Sequence, residues 1–205
     1  MHPDAYTVLA KPARAELRAK GSRFLALAHP VRDEAGAREV RESVVREHPD
    51  ATHHCWAQRL GHPDAPRERH ADAGEPAGSA GPPIARSLVA AGLSDLVVVV
   101  ARWFGGTKLG VGGLIRAYGE ASRLALDAAP RAERLLAVTL AGSFPYELEA
   151  PLRGLLARLG GIVQDAEYGA DVRWRVAVPR SVAEAFRAEA RELGRGNDPF
   201  KLAED

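Results

Sequence analysis

Residues 95–118 read DLVVVVARWFGGTKLGVGGLIRAY, and the fold of the first half of the chain turns on them. Leu96 to Ala101 is an unbroken apolar, mostly β-branched run, the pattern of a strand covered on both faces. A central strand is predicted there. It runs into a glycine-rich segment, Gly105 to Gly113, after which Leu114, Ile115, Tyr118, Ala121 and Ala125 keep helical spacing until Pro130. Such a turn leading into a helix N-terminus makes an anion site, because unpaired backbone N–H groups and the helix dipole converge on it. Between Ala101 and Tyr118 the charged residues are Arg102, Lys108 and Arg116, with no acid among them. The predicted phosphate-contacting set is therefore Arg102, Gly105, Gly106, Lys108, Gly110, Gly112, Gly113 and Arg116. A Walker A loop is excluded, since Lys108 follows Thr107 and precedes Leu109. Trp103 and Phe104 are candidates for stacking on bases, yet neighbours on a strand face opposite ways, so at least one of them is expected in the core.

Upstream, strand-like runs cover Ala5–Ala10, Glu16–Lys20 and Arg23–Ala28, with Gly21-Ser22 as a hairpin turn. Asp33 is placed to cap a helix running to Glu47, and His48-Pro49-Asp50 stops it. A strand over Thr52–Gln58 follows. The stretch Leu60–Pro83, rich in Gly and Pro, reads as a long mobile loop. Pro82-Pro83 opens a helix closed by Gly92. Within the loop, Asp72 and Glu75 are paired carboxylates able to hold a cation or act as acid and base; the competing expectation is that they bind loop amides or an arginine. His53 and Cys55 share one strand face. No third residue is identifiable to orient them as a nucleophilic pair, and core packing is the expectation for Cys55.

Downstream of Pro130 the chain predicts a strand at Leu135–Gly142, a helix at Glu149–Leu159, strands at Ile162–Tyr168 and Asp171–Val178, and a last helix with a Ser181/Glu184 capping box. The polar tail from Arg195 is expected to fray. This β-α-β-β-α order suggests a ferredoxin-like half-sandwich, and the domains are drawn at 1–130 and 131–205.

Composition bounds the function classes. In 205 residues, 46% are hydrophobic and 27% charged, which is ordinary for a folded protein. The net charge is +1, far from the balance of a dedicated nucleic-acid binder, so any such role must rest on a local patch. No apolar run approaches the roughly 20 residues of a membrane span. The N-terminus lacks a signal-peptide pattern, and the cytoplasm is the expected compartment. A single cysteine excludes a disulfide framework, the seven histidines form no H-E-x-x-H pair, and no metal or cofactor is expected.

The segments SRF (22–24), HHC (53–55), DAGEPAGSAGPPI (72–84) and VVVVARWFGGTKLGVGGLIRAY (97–118) resemble the IMPACT/YigZ family across essentially the whole chain. The resemblance implies an α+β fold: an N-terminal domain similar to domain IV of elongation factor G, and a C-terminal domain similar to that factor's ferredoxin-like domains. The chain departs from the family's usual residues in having Ala73 for a second Asp, His54 for Asn and Trp103 for Tyr or Phe. By the same resemblance, bacterial members are linked to RNA or ribosome binding through fold analogy. Eukaryotic members regulate translation under stress by binding the activator of an initiation-factor kinase, largely through an extra RWD domain. Because the family domain starts almost at Met1 here, that partner is not carried over.

Three functions follow. The leading expectation is a non-enzymatic, translation-related protein contacting RNA or the ribosome through Arg102, Lys108 and Arg116. The second is a protein-binding regulator using the same face. The third is a small-molecule enzyme with Asp72, Glu75 and Lys108 around a phosphate.

Overall fold

A computed structural model describes residues 4–203. The chain divides into two compact units, Tyr6–Arg134 and Leu135 onward, the latter taking in Asp4 and Ala5. The seam follows Arg134 because β1 (Ala5–Leu9) pairs with a strand beyond Pro130, which keeps that segment with the first unit.

In the first unit, β2 (Ala13–Ala19), β3 (Ser22–Pro30), α1 (Glu34–Glu47), β4 (His53–Leu60), β5 (Arg67–Ala71), α2 (Gly81–Ala90), β6 (Leu96–Trp103) and α3 (Val111–Ala128) follow β1. The sheet order is β2-β3-β6-β4-β5, all neighbours antiparallel, so β6 is central. The apolar run on β6 is explained by layers on both sides. Val98 and Val100 face α2 and α3, packing with Phe24, Cys55, Ile84, Leu88 and Tyr118. Val97 and Val99 face α1 with Leu25, Leu27 and Val44. Asp33 caps α1 as expected, its carboxylate accepting the Gly36 N–H at 2.7 Å.

The stretch 60–83 is not a bare loop. It contains β5, the sheet's exposed edge strand, whose Arg67-Glu68-Arg69-His70 side chains are exposed on both faces and so carry no period for a sequence reading to find. Beyond α3, β7 (Arg131–Leu135) pairs with β1 in a separate ribbon.

The second unit runs β8 (Ala137–Phe144), α4 (Glu149–Arg158), β9 (Ile162–Tyr168), β10 (Val172–Pro179), α5 (Ala183–Leu193) and β11 (Phe200–Leu202). Its sheet order is β11-β8-β10-β9, antiparallel throughout. The core joins Leu140, Leu152, Trp174, Val176, Phe186 and Phe200. Two expectations fail here. Within the described residues the tail forms β11, because Phe200 is fully buried and ties that strand to β8. There is no capping box on α5: the Ser181 backbone N–H and hydroxyl both donate to Asp4, at 2.9 and 2.7 Å, and α5 begins without a side-chain cap. Among the described residues no helix is long and apolar enough to cross a membrane.

Candidate functional site

The glycine-rich segment is pinned at its start and open at its end. Gly105 lies so close to the β2–β3 turn that a Cβ on it would meet the Gly21 carbonyl carbon at 1.9 Å, so only glycine fits there. The Phe104 N–H donates to Thr52 Oγ1 and the Gly105 N–H to Ser22 Oγ. At the other end Gly110, with φ +72°, precedes α3, whose first turn has neither a side-chain cap nor an acid. Its leading N–H groups, at Val111, Gly112 and Gly113, therefore have no intrahelical partners. Lys108 and Arg116 are exposed beside this terminus and form no ion pair within the described residues. A shallow groove of about 270 Å³ runs next to it, lined by Lys20, Leu109, Gly113 and Arg116 among others. Lys20 thus joins the patch from the β2–β3 turn, a neighbour invisible in a linear reading.

Arg102 does not lie on that surface. It is 5% exposed. Its Nη1 donates to Glu75 Oε1 at 2.5 Å, and Nη2 reaches Ser22 Oγ at 3.4 Å. Its place on β6 faces the α2/α3 side, where the charge needs a buried partner, and Glu75 supplies it. The same Glu75 oxygen accepts the Tyr118 hydroxyl at 2.7 Å. Cys55 Sγ lies 3.3 Å from that hydroxyl and 2.9 Å from the Asp72 carbonyl. Burial pushes the Cys55 thiol up to about 12 and raises the Tyr118 phenol further, with Glu75 and Cys55 adding to it. A thiolate at neutral pH is disfavoured in such a setting.

Asp72 is likewise committed. Its Oδ1 accepts the N–H groups of Ala80 and Gly81 at 2.9 and 2.8 Å, and its Oδ2 that of Gly78 at 2.8 Å. Desolvation pushes its carboxyl up, but these three donors outweigh it and hold it below its ordinary 3.8. His53 Nδ1 sits 3.0 Å from the Ala73 carbonyl. The DxGEP segment is therefore a polar clamp that closes α2 and β6 around the loop. Both carboxylates are engaged by protein donors, and among the described residues no group of three or more His, Cys, Asp and Glu is placed to hold a metal ion.

The two aromatics after Arg102 separate as alternation requires. Trp103 is partly buried, its indole N–H donating to Asp50 and its face covered by the Arg23 guanidinium at 4.3 Å. Phe104 is 47% exposed and Val111 52%, so both stand on the open side of the patch.

A second concavity, of about 600 Å³, lies between α2 and α3 and meets the patch at Arg116. Arg86, Arg123 and Arg131 line it. Sequence reading passes over these arginines because they stand on three separate elements in a chain with many arginines.

Residues 20–126 match the family model for the Impact N-terminal domain, and residues 143–197 match a domain of unknown function, DUF1949. The chain is 35% identical over 196 residues to IMPACT family member YigZ of Escherichia coli (strain K12), covering 95% of this chain and 96% of that one. It is 31% identical over 200 residues to IMPACT family member YvyE of Bacillus subtilis (strain 168), covering 98% and 92%. A crystal structure described as that of a hypothetical protein superposes with a TM-score of 0.72 at 31% identity, covering 98% of both chains.

Proposed function

The chain belongs to the IMPACT family, and from that premise we propose that it is a non-enzymatic, translation-related protein that grips RNA phosphate at the N-terminus of α3. One observation carries the reading: an uncapped, acid-free helix start flanked by the exposed and unpaired Lys108 and Arg116, with Lys20 beside them. Backbone N–H groups of Gly112 and Gly113 would meet a phosphate oxygen closely, since neither residue carries a side chain of its own. Phe104 and Val111 offer apolar contact at the rim. The enzyme reading loses its acid–base pair, because Asp72 is held by three backbone donors and Glu75 by Arg102 and Tyr118. We take the first unit as similar to domain IV of elongation factor G. The second we take as ferredoxin-like, which its β-α-β-β-α-β order and β11-β8-β10-β9 sheet support.

The test is the salt dependence of binding to single-stranded RNA. Three exposed cations, at about −0.7 in log K per log salt each, predict a slope of about −2. Lys108→Ala and Arg116→Ala should each flatten it by about 0.7, with little dependence on RNA sequence. A wild type that binds while both variants keep its affinity and slope would exclude this site.

A further inference from the structure

The groove between α2 and α3 holds more uncommitted positive charge than any structural duty there requires. Four arginines line it, Arg86 from α2, Arg116 and Arg123 from α3 and Arg131 from β7, against two acids, Glu120 and Asp127. Arg123 holds both acids: its Nη2 and Nε donate to Glu120, at 2.7 and 3.1 Å, and its Nη1 to Asp127 at 2.5 Å. Arg86 and Arg116 then make no hydrogen bond or ion pair within the described residues. Arg131 gives one N–H to the Ala91 carbonyl at 3.4 Å and keeps its other donors. Exposed arginines are usually solvated singly, but these three converge on one concavity from three elements.

We propose that this groove binds a small molecule carrying a diphosphate or an equivalent pair of adjacent anionic groups. The planar guanidinium fork matches phosphate and carboxylate oxygens two at a time, and three forks suit more than one anionic group. The volume, about 600 Å³, falls in the range of small-ligand pockets. Pro83, Ile115 and Leu126 give the groove an apolar floor for the body of such a ligand. A nucleic-acid strand fits less well, because no aromatic side chain lines the groove to receive its bases.

The placement of Arg116 couples the two sites. It lines both this groove and the smaller one beside the start of α3, so a ligand here and a polyanion there draw on one guanidinium. The competition rests on the proposed function. Binding in the groove does not.

The experiment is titration calorimetry on the full chain at low ionic strength, with inorganic pyrophosphate and then ADP as probes. Saturable binding of pyrophosphate is expected, tighter for ADP because its body reaches the floor. Arg86→Ala and Arg131→Ala should each weaken binding about tenfold, and Arg86→Lys should stay weaker than wild type because the fork is lost. Lys108→Ala, outside the groove, should leave it unchanged. No heat at about 1 mM probe, or equal losses in Lys108→Ala and Arg86→Ala, would overturn the proposal. So would binding of RNA or an acidic peptide in the groove without either probe. If the groove fails, the RNA salt slope at Lys108 still tests the first site separately. If both hold, ADP should displace RNA from Arg86→Ala only at about tenfold higher concentration than from wild type.

Discussion

At Asp72 a loop carboxylate does the work of a helix cap from outside the helix. Its three backbone donors belong to residues at and just before the start of α2, a helix that has no side-chain cap of its own. Asp72→Ala should cost about 1–3 kcal/mol in urea unfolding at neutral pH, since three N–H groups lose their acceptor. The pH dependence has a definite sign. The folded carboxyl sits below its ordinary 3.8, so its stabilisation is complete above that value and lost as pH falls through the lower folded value. Asp72→Asn, which cannot ionise, should therefore narrow its gap from wild type as acid is added, and a gap that stays constant down to acid unfolding would contradict the assignment. Next to it, Ala73 holds φ +44°, a left-handed backbone that a β-carbon opposes. Glycine has no β-carbon to oppose that region, and Ala73→Gly should raise stability by about 0.5–1 kcal/mol. Cys55 completes the cluster. Its raised thiol should react with a thiol reagent far more slowly in the native protein than in urea.

The elements legible in the sequence are those with one dominant physical cause. The β6 run could be read because burial on both faces leaves no polar position, and α1 because Asp33 and His48-Pro49 mark its ends. The elements that escaped are held by distant partners. β5 shows no alternation, being exposed on both sides, and β11 is a short strand in a polar tail with one anchoring side chain. The α5 cap misled because Ser181 has the right spacing to Glu184 but a better partner in Asp4. The site divides the same way. Lys108, Arg116 and the glycines could be seen as a patch in one continuous segment, whereas the burial of Arg102 required Glu75 and the patch's third cation required Lys20 across the fold. Phe200 measures how far one residue can hold an element. Phe200→Ala should cost about 3–5 kcal/mol and release β11, seen as loss of amide protection in residues 200–202.

For the whole chain, a net charge of +1 conceals its arrangement. Lys20, Arg86, Lys108 and Arg116 are exposed cations without an ion pair among the described residues and stand around the start of α3 and the α2/α3 groove, while Glu16 is held by Arg18 and Arg23. The two units also carry separate cores, one around Phe24, Val98 and Tyr118, the other around Trp174, Phe186 and Phe200. Distinct cores predict distinct unfolding transitions. The chain supplies its own reporters, with Trp56 and Trp103 in the first unit and Trp174 in the second. In a Trp174→Phe background, fluorescence follows the first unit alone. Adding Phe200→Ala there should leave the fluorescence midpoint in place while part of the far-UV signal is lost earlier, and adding Asp72→Ala should move the midpoint down. Two substitutions in units that unfold independently should also add in free energy to within about 0.5 kcal/mol. If Phe200→Ala shifts the first unit's fluorescence midpoint as much as it shifts the far-UV signal, the two cores unfold as one cooperative block and the division of the chain after Arg134 has no thermodynamic meaning.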